Sequence, residues 1–135
     1  MTASVNKRSQ LHPHYVDLRD LARSKGEEMV RAFAASQQAY TSGKRALAKE
    51  LSKKGHFHKS EMERLNLEAS EWAFHNCNAG NPPGEVDLHG LHVKEAIEYT
   101  DRAIQEARQR GEGEIRLIVA GSAKLKPAIK SLMQK

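Results

Sequence analysis

The chain has 135 residues, 39% of them hydrophobic, 29% charged and 5% aromatic, with three Phe, three Tyr, one Trp and one Cys. This length excludes a large multidomain enzyme and leaves room for one ordinary domain or two small units; a mean hydropathy of −0.70 implies a lean core of Leu, Ala, Ile, Val and Met. The net charge of +5 is laid out in blocks: residues 1–60 hold 12 basic against five acidic side chains, residues 61–114 five against 12, and residues 115–135 five against none. Charge blocks are ordinarily solvated helix faces, and two basic surfaces also suit a polyanion such as nucleic acid. No apolar run approaches the roughly 18 residues that span a bilayer, and Met1 to Gln10 has no hydrophobic block after its positive residues. A soluble, unsecreted chain of the cytoplasm or nucleus is expected, with no membrane partner. Cys77 alone forms neither an internal disulfide nor a Cys-based zinc site, which fits a reducing compartment.

The first ten residues are polar and aperiodic and read as a disordered lead-in. From Tyr15 to Tyr40 apolar residues recur at helical spacing through Leu18, Leu21, Ala22, Met29, Ala32 and Phe33, with a bend allowed at Gly26. Thr41-Ser42-Gly43 breaks the pattern, and Ala46, Leu47, Ala48 and Leu51 support a short, strongly basic helix ending at Gly55. Ser60-Glu61-Met62-Glu63 has the form of a capping box, so a third helix is predicted from near Ser60, or a turn earlier, to about Cys77, carried by Met62, Leu65, Ala69, Trp72 and Ala73. Asn78 to Gly84 is dense in turn formers and reads as a linker. Beyond it, Glu85 to His89 alternates as a short strand halted by Gly90, and Val93 to Ala107 is a clean amphipathic helix closed at Gly111. Ile115 to Val119 is a β-branched run suited to a buried strand, and Gly121-Ser122 leads into a basic helix with Pro127 in its first turn. Strand, helix, strand in this order implies a parallel βαβ crossover.

Asp87 and His89, two residues apart in a strand, project from the same face while Val86 and Leu88 anchor the other. A carboxylate and an imidazole therefore meet at the carboxyl end of a parallel strand, where ligands usually bind in α/β sheets. There His89 could act as general acid or base with Asp87 orienting it, and Gly90 allows close backbone approach. An edge ion pair or a capping arrangement accounts for the same two residues without catalysis. Other features have plainer readings. His12-Pro13-His14 and His56-Phe57-His58 read as surface or capping histidines before metal ligands, and Arg110-Gly111-Glu112-Gly113 follows a helix rather than a strand, unlike a nucleotide-binding loop. Cys77 reads as a small buried residue near a helix end, and Trp72 and Phe74 as packing residues before base-stacking platforms.

Val86-Asp87-Leu88-His89-Gly90-Leu91 resembles the leucine-aspartate-leucine-histidine-glycine motif that opens the Smr (small MutS-related) domain, with Val in the first position. The likeness continues through Val93-Lys94-Glu95-Ala96, the run Ile115 to Val119, and Ala123 to Ala128. Residues 12–79 are similar to the helical extension that precedes Smr domains in many eukaryotic proteins, through Tyr15, Leu18, Arg19, Ala22, Met62, Asn66 and Ala69. The resemblance implies nuclease activity: relatives nick DNA in bacterial mismatch repair or cleave mRNA at collided ribosomes. Asp87 and His89 match the motif positions implicated in cleavage. A fitting chemistry is metal-independent attack of a ribose 2′-hydroxyl on its own phosphate, with no cofactor and with Lys or backbone N–H groups stabilising the phosphorane. Lys44, Arg45, Lys49, Lys53, Lys54, Lys124, Lys126 and Lys130, with Gly90, are the candidate nucleic-acid contacts.

The sequence also departs from the family pattern. Members usually carry a Gly-x-Gly-x-His-Ser loop after the second strand, whereas here Val119 passes through Ala120-Gly121-Ser122 directly to Ala123-Lys124, and members continue into further strands whereas this sequence stops at Lys135. The expected architecture is thus α+β or α/β: a helical hairpin-like unit at 12–79, a linker at 80–84, and a βαβα Smr-like domain at 85–135 that is truncated or incompletely represented. The leading function is an endonuclease acting on RNA in preference to DNA, with the ribosome as a further partner. Its alternative is a non-catalytic nucleic-acid or ribosome-binding module, favoured by the absent Gly-rich loop. A third reading is an adaptor whose acidic middle, Glu61 to Glu114, meets a basic partner.

Overall fold

The computed structural model describes residues 12–119. They form α1 (Pro13–Thr41), α2 (Arg45–Asn78), β1 (Glu85–Asp87), α3 (Val93–Gln109) and β2 (Arg116–Ile118), an α+β arrangement with a two-stranded parallel sheet. Two compact units, residues 12–69 and 70–119, divide within α2. The lead-in, the Gly121-Ser122 turn and the final basic helix lie outside the described residues.

α1 begins at a built cap. His12 Nδ1 accepts the His14 backbone N–H at 3.0 Å, and Pro13 occupies the opening of the helix, where a missing N–H leaves no intrahelical bond unmade. The helix ends where Gly43 takes a φ of 79° and the Lys44 N–H closes onto Ala39 O at 2.8 Å. In the unit of residues 12–69, contacts between α1 and α2 step in opposite directions. Ser36 Oγ donates to Ala48 O at 2.6 Å, Phe33 lies against Gly55, Gly26 against Met62, and Arg19 Nη1 donates to Asn66 Oδ1 at 2.7 Å. That is an antiparallel αα-hairpin, and its seam holds Tyr15, Leu18, Ala22, Ala48, Leu65 and Ala69, all buried. Arg19 also donates from Nε to the Tyr15 hydroxyl at 3.1 Å, so the family-like residues Tyr15, Arg19 and Asn66 form one bonded group.

The expected stop at Gly55 and restart near Ser60 do not occur. α2 is one helix of 34 residues. Gly55 is buried, and a Cβ there would lie 2.4 Å from Cε1 of Phe33, with two further ring atoms within 2.8 Å. The glycine thus serves helix-to-helix approach rather than termination, and the Ser60 box stays inside a helix. Gly55→Ala is expected to destabilise the hairpin by about 1–2 kcal/mol, because overpacking against Phe33 outweighs the helix propensity gained. Adding Phe33→Leu is expected to recover most of that loss in a urea-denaturation double-mutant cycle. Additive effects would show that the two positions do not meet.

In the unit of residues 70–119, β1 and β2 pair with Glu85 opposite Arg116, Val86 opposite Leu117 and Asp87 opposite Ile118. Each strand is shorter than its sequence pattern, three residues rather than five. Buried Val86, Leu88 and Ala96 form the core, with Leu91, Val93, Ala103, Leu117 and Val119 packed around them. Phe74 stacks on Tyr99 at 4.0 Å between ring centroids and 12° between planes, and burial raises the Tyr99 phenol above its ordinary range. α3 opens with Glu95 Oε1 accepting the His92 N–H at 2.8 Å and closes at Gly111, φ 76°. Arg110 Nε donates to Glu112 Oε1 at 2.9 Å, so the Arg110 to Gly113 segment is a helix stop locked by an ion pair.

Candidate functional site

The site begins where β1 ends. The Leu88 N–H still bonds β2, donating to Ile118 O at 3.0 Å, and its alternate-facing side chain is 1% exposed in the core. The Leu91 N–H then returns to Leu88 O at 3.4 Å, closing a turn around His89 and Gly90. Gly90 has a φ of 80°, the left-handed conformation that the third residue of a type II turn requires and that a side chain disfavours. The expected five-residue strand is therefore a three-residue strand plus a turn, and the turn folds His89 back over Asp87.

Asp87 Oδ1 does two things at once. It accepts the His89 backbone N–H at 3.0 Å and lies 2.5 Å from His89 Nδ1. The carboxylate thereby fixes both the turn and the ring, favouring a proton on Nδ1 and directing exchange with a ligand to Nε2. Asp87 is fully buried and His89 is 6% exposed. Such a pair can take a proton at Nε2 while the carboxylate offsets the charge that develops on the ring.

A further residue enters that sequence patterns did not single out. Asn78, the last residue of α2, accepts the Asp87 N–H at Oδ1, 2.7 Å, and donates from Nδ2 to the Asp87 carbonyl at 2.9 Å. The same Nδ2 donates to Phe74 O at 2.8 Å, and Asn81 Nδ2 donates to Asn78 Oδ1 at 3.3 Å. Asn78 stands first in the turn-forming stretch, and only its facing strand reveals the second use. Next to it, the Cys77 thiol is buried 3.9 Å from His89 O.

The remaining candidates separate. Arg45, Lys49 and Lys53 recur every four residues along the start of α2, with Lys44 before them and Lys54 beside them, all exposed. The Arg45 guanidinium lies 5.9 Å from the Tyr40 ring centroid, and Lys53 Nζ is 3.5 Å from Glu50 Oε1. These cations belong to the unit of residues 12–69, and Asp87, His89 and Gly90 to the other. Lys124, Lys126 and Lys130 lie outside the described residues. His56 meets the edge of Phe33, and His58 Nδ1 is 3.0 Å from Glu28 Oε2. Among the described residues no three His, Cys, Asp or Glu side chains group as metal ligands, and no helix is long and apolar enough to cross a membrane.

Comparison with known proteins also finds two segments, which meet between residues 78 and 86 rather than within α2. Residues 15–78 match the model of a domain of unknown function, DUF1771, and residues 86–135 match the Smr domain. Endonuclease NBR9 of Saccharomyces cerevisiae is 36% identical over 128 residues, covering 90% of this chain and 53% of that protein. An Smr domain-containing protein of Schizosaccharomyces pombe is 32% identical over 127 residues, covering 89% of this chain and 62% of that protein. Polyadenylate-binding protein-interacting protein 7 of Arabidopsis thaliana is 38% identical over 111 residues, covering 70% of this chain and 20% of that protein. The chain thus spans 53% and 62% of the length of the first two relatives. No solved structure matches it. The Asp-Leu-His-Gly turn stands at the head of the second match and the hairpin fills the first, so the chain carries an Smr domain at residues 86–135 with a DUF1771 segment ahead of it.

Proposed function

We propose that the chain is an Smr-type endonuclease that cleaves RNA, with mRNA on ribosomes in the cytoplasm as its setting. The observation that carries this reading is the buried 2.5 Å contact between His89 Nδ1 and Asp87 Oδ1 at the carboxyl end of β1. His89 Nε2 removes the proton of a ribose 2′-hydroxyl, whose oxygen attacks the adjacent phosphorus. The bond from phosphorus to the 5′-oxygen breaks, leaving a 2′,3′-cyclic phosphate, and the departing 5′-oxygen takes a proton from water. Asp87 holds the ring in register and offsets its positive charge during transfer. The Gly90 turn lets the phosphate backbone approach, and Lys44, Arg45, Lys49, Lys53 and Lys54, with Lys124, Lys126 and Lys130, supply phosphate contacts. The names of relatives, among them an endonuclease, support the reading.

This chemistry needs a 2′-hydroxyl and no metal. Cleavage of structured RNA is expected to persist in excess EDTA and to stop at a site carrying a single 2′-deoxy substitution. Loss in EDTA, or cleavage at the deoxy site, would overturn the mechanism. One observation favours a second reading: a His89 only 6% exposed suits a turn that is structural, so that the chain binds nucleic acid without cutting it. Salt-sensitive RNA binding with no cleavage under any of these conditions would establish that alternative.

A further inference from the structure

β1 has two edges. Gly84 O and the Leu88 N–H bond across to β2, so the alternating peptide groups of Glu85 and Asp87 face the other way. There the Glu85 N–H donates to Pro82 O at 3.1 Å. Among the described residues no strand lies on that side of Asp87, and the Asn78 amide supplies both an acceptor for its N–H and a donor for its carbonyl. The amide orientation is fixed chemically, because the Asp87 N–H can meet only an oxygen, and the Asp87 and Phe74 carbonyls can meet only an N–H.

We infer that Asn78 is a positioning residue for the Asp87–His89 pair, acting as a one-residue substitute for a neighbouring strand. Asp87 links Asn78 to the imidazole, and its two backbone bonds to Asn78 set the direction from which its carboxylate reaches His89 Nδ1. Without them the peptide at Asp87 can rotate, and a shift well under the length of a hydrogen bond separates Oδ1 from the ring. The inference rests on the nuclease reading for its catalytic consequence, though not for its geometry.

The test uses the full chain and two kinds of readout. In the wild-type protein, NMR is expected to detect scalar coupling across the hydrogen bond from the Asp87 amide nitrogen to the Asn78 side-chain carbonyl, together with a His89 ring protonated mainly on Nδ1. Asn78→Ala is expected to mix the two His89 tautomers and to lower kcat about 10- to 100-fold with KM within about twofold. Asn78→Asp, which keeps the acceptor and loses the donor, is expected to fall between. Tyr99→Leu removes the stack on Phe74 and destabilises the same unit without touching Asp87. It serves as the control and is expected to leave the tautomer unchanged. Absence of the coupling in wild type, an unchanged His89 ring in a folded Asn78→Ala, or the same ring change in Tyr99→Leu would overturn the inference. If RNA is not cleaved at all, the nuclease reading fails while the coupling and tautomer still decide the role of Asn78.

Discussion

His89→Ala is expected to lower RNA cleavage by about 10²- to 10⁴-fold, the range that removal of a positioned acid or base produces, equivalent to about 3–5.5 kcal/mol of transition-state stabilisation. Among the described residues the ring's close partner is Asp87 Oδ1, and its other nitrogen is where a substrate proton would be exchanged. KM is expected to change little, because the phosphate contacts proposed for the basic side chains survive the substitution. Asp87→Asn tests the partner. The amide oxygen can still accept the His89 backbone N–H, so the turn is retained, but the pair no longer carries a negative charge and no longer enforces one tautomer. A loss of similar size is expected, and the double variant should be little worse than either alone, as for groups that act as a unit. Unchanged kcat in His89→Ala would remove the imidazole from the chemistry.

Leu88→Ala is expected to cost about 2–5 kcal/mol, measured by urea denaturation. Leu88 is 1% exposed and sits between the two site residues in sequence, with its side chain in the core that Val86 and Ala96 complete. A loss of this size approaches the whole stability of a small unit. The site should then disappear together with the unit, and the protein should lose cleavage and the cooperative transition of residues 70–119 in parallel. Leu88→Met preserves volume and is expected to cost less than about 1.5 kcal/mol and to keep activity. A folded but inactive Leu88→Ala would show that the core and the site are less tightly joined than their shared backbone implies.

What the linear pattern reveals differs from element to element. The pairing of Asp87 with His89 follows from the two-residue period of an extended chain and survives even though His89 sits in a turn, because the Gly90 turn keeps both side chains on one side. The crossover also follows from local order, since strand, helix and strand leave few alternatives. Gly55 is different. Its role depends on Phe33, 22 residues earlier and on another helix, so nothing near Gly55 distinguishes a stop from a close approach. Asn78 is hidden in the same way: at the head of a turn-rich stretch it looks like punctuation, and its use appears only when Asp87 is brought beside it. Local chemistry is readable from local sequence, whereas a residue whose partner is distant in the chain is readable only after folding.

The closure of β1 has a consequence for how the protein behaves in company. An unpaired strand edge invites another chain to add a strand, the first step of many self-associations. With Pro82 holding the Glu85 N–H and Asn78 holding both polar groups of Asp87, that edge offers an incoming strand no N–H at either outward-facing position. Among the described residues, one amide and one proline carbonyl thus remove the donors through which a further strand could be added along β1.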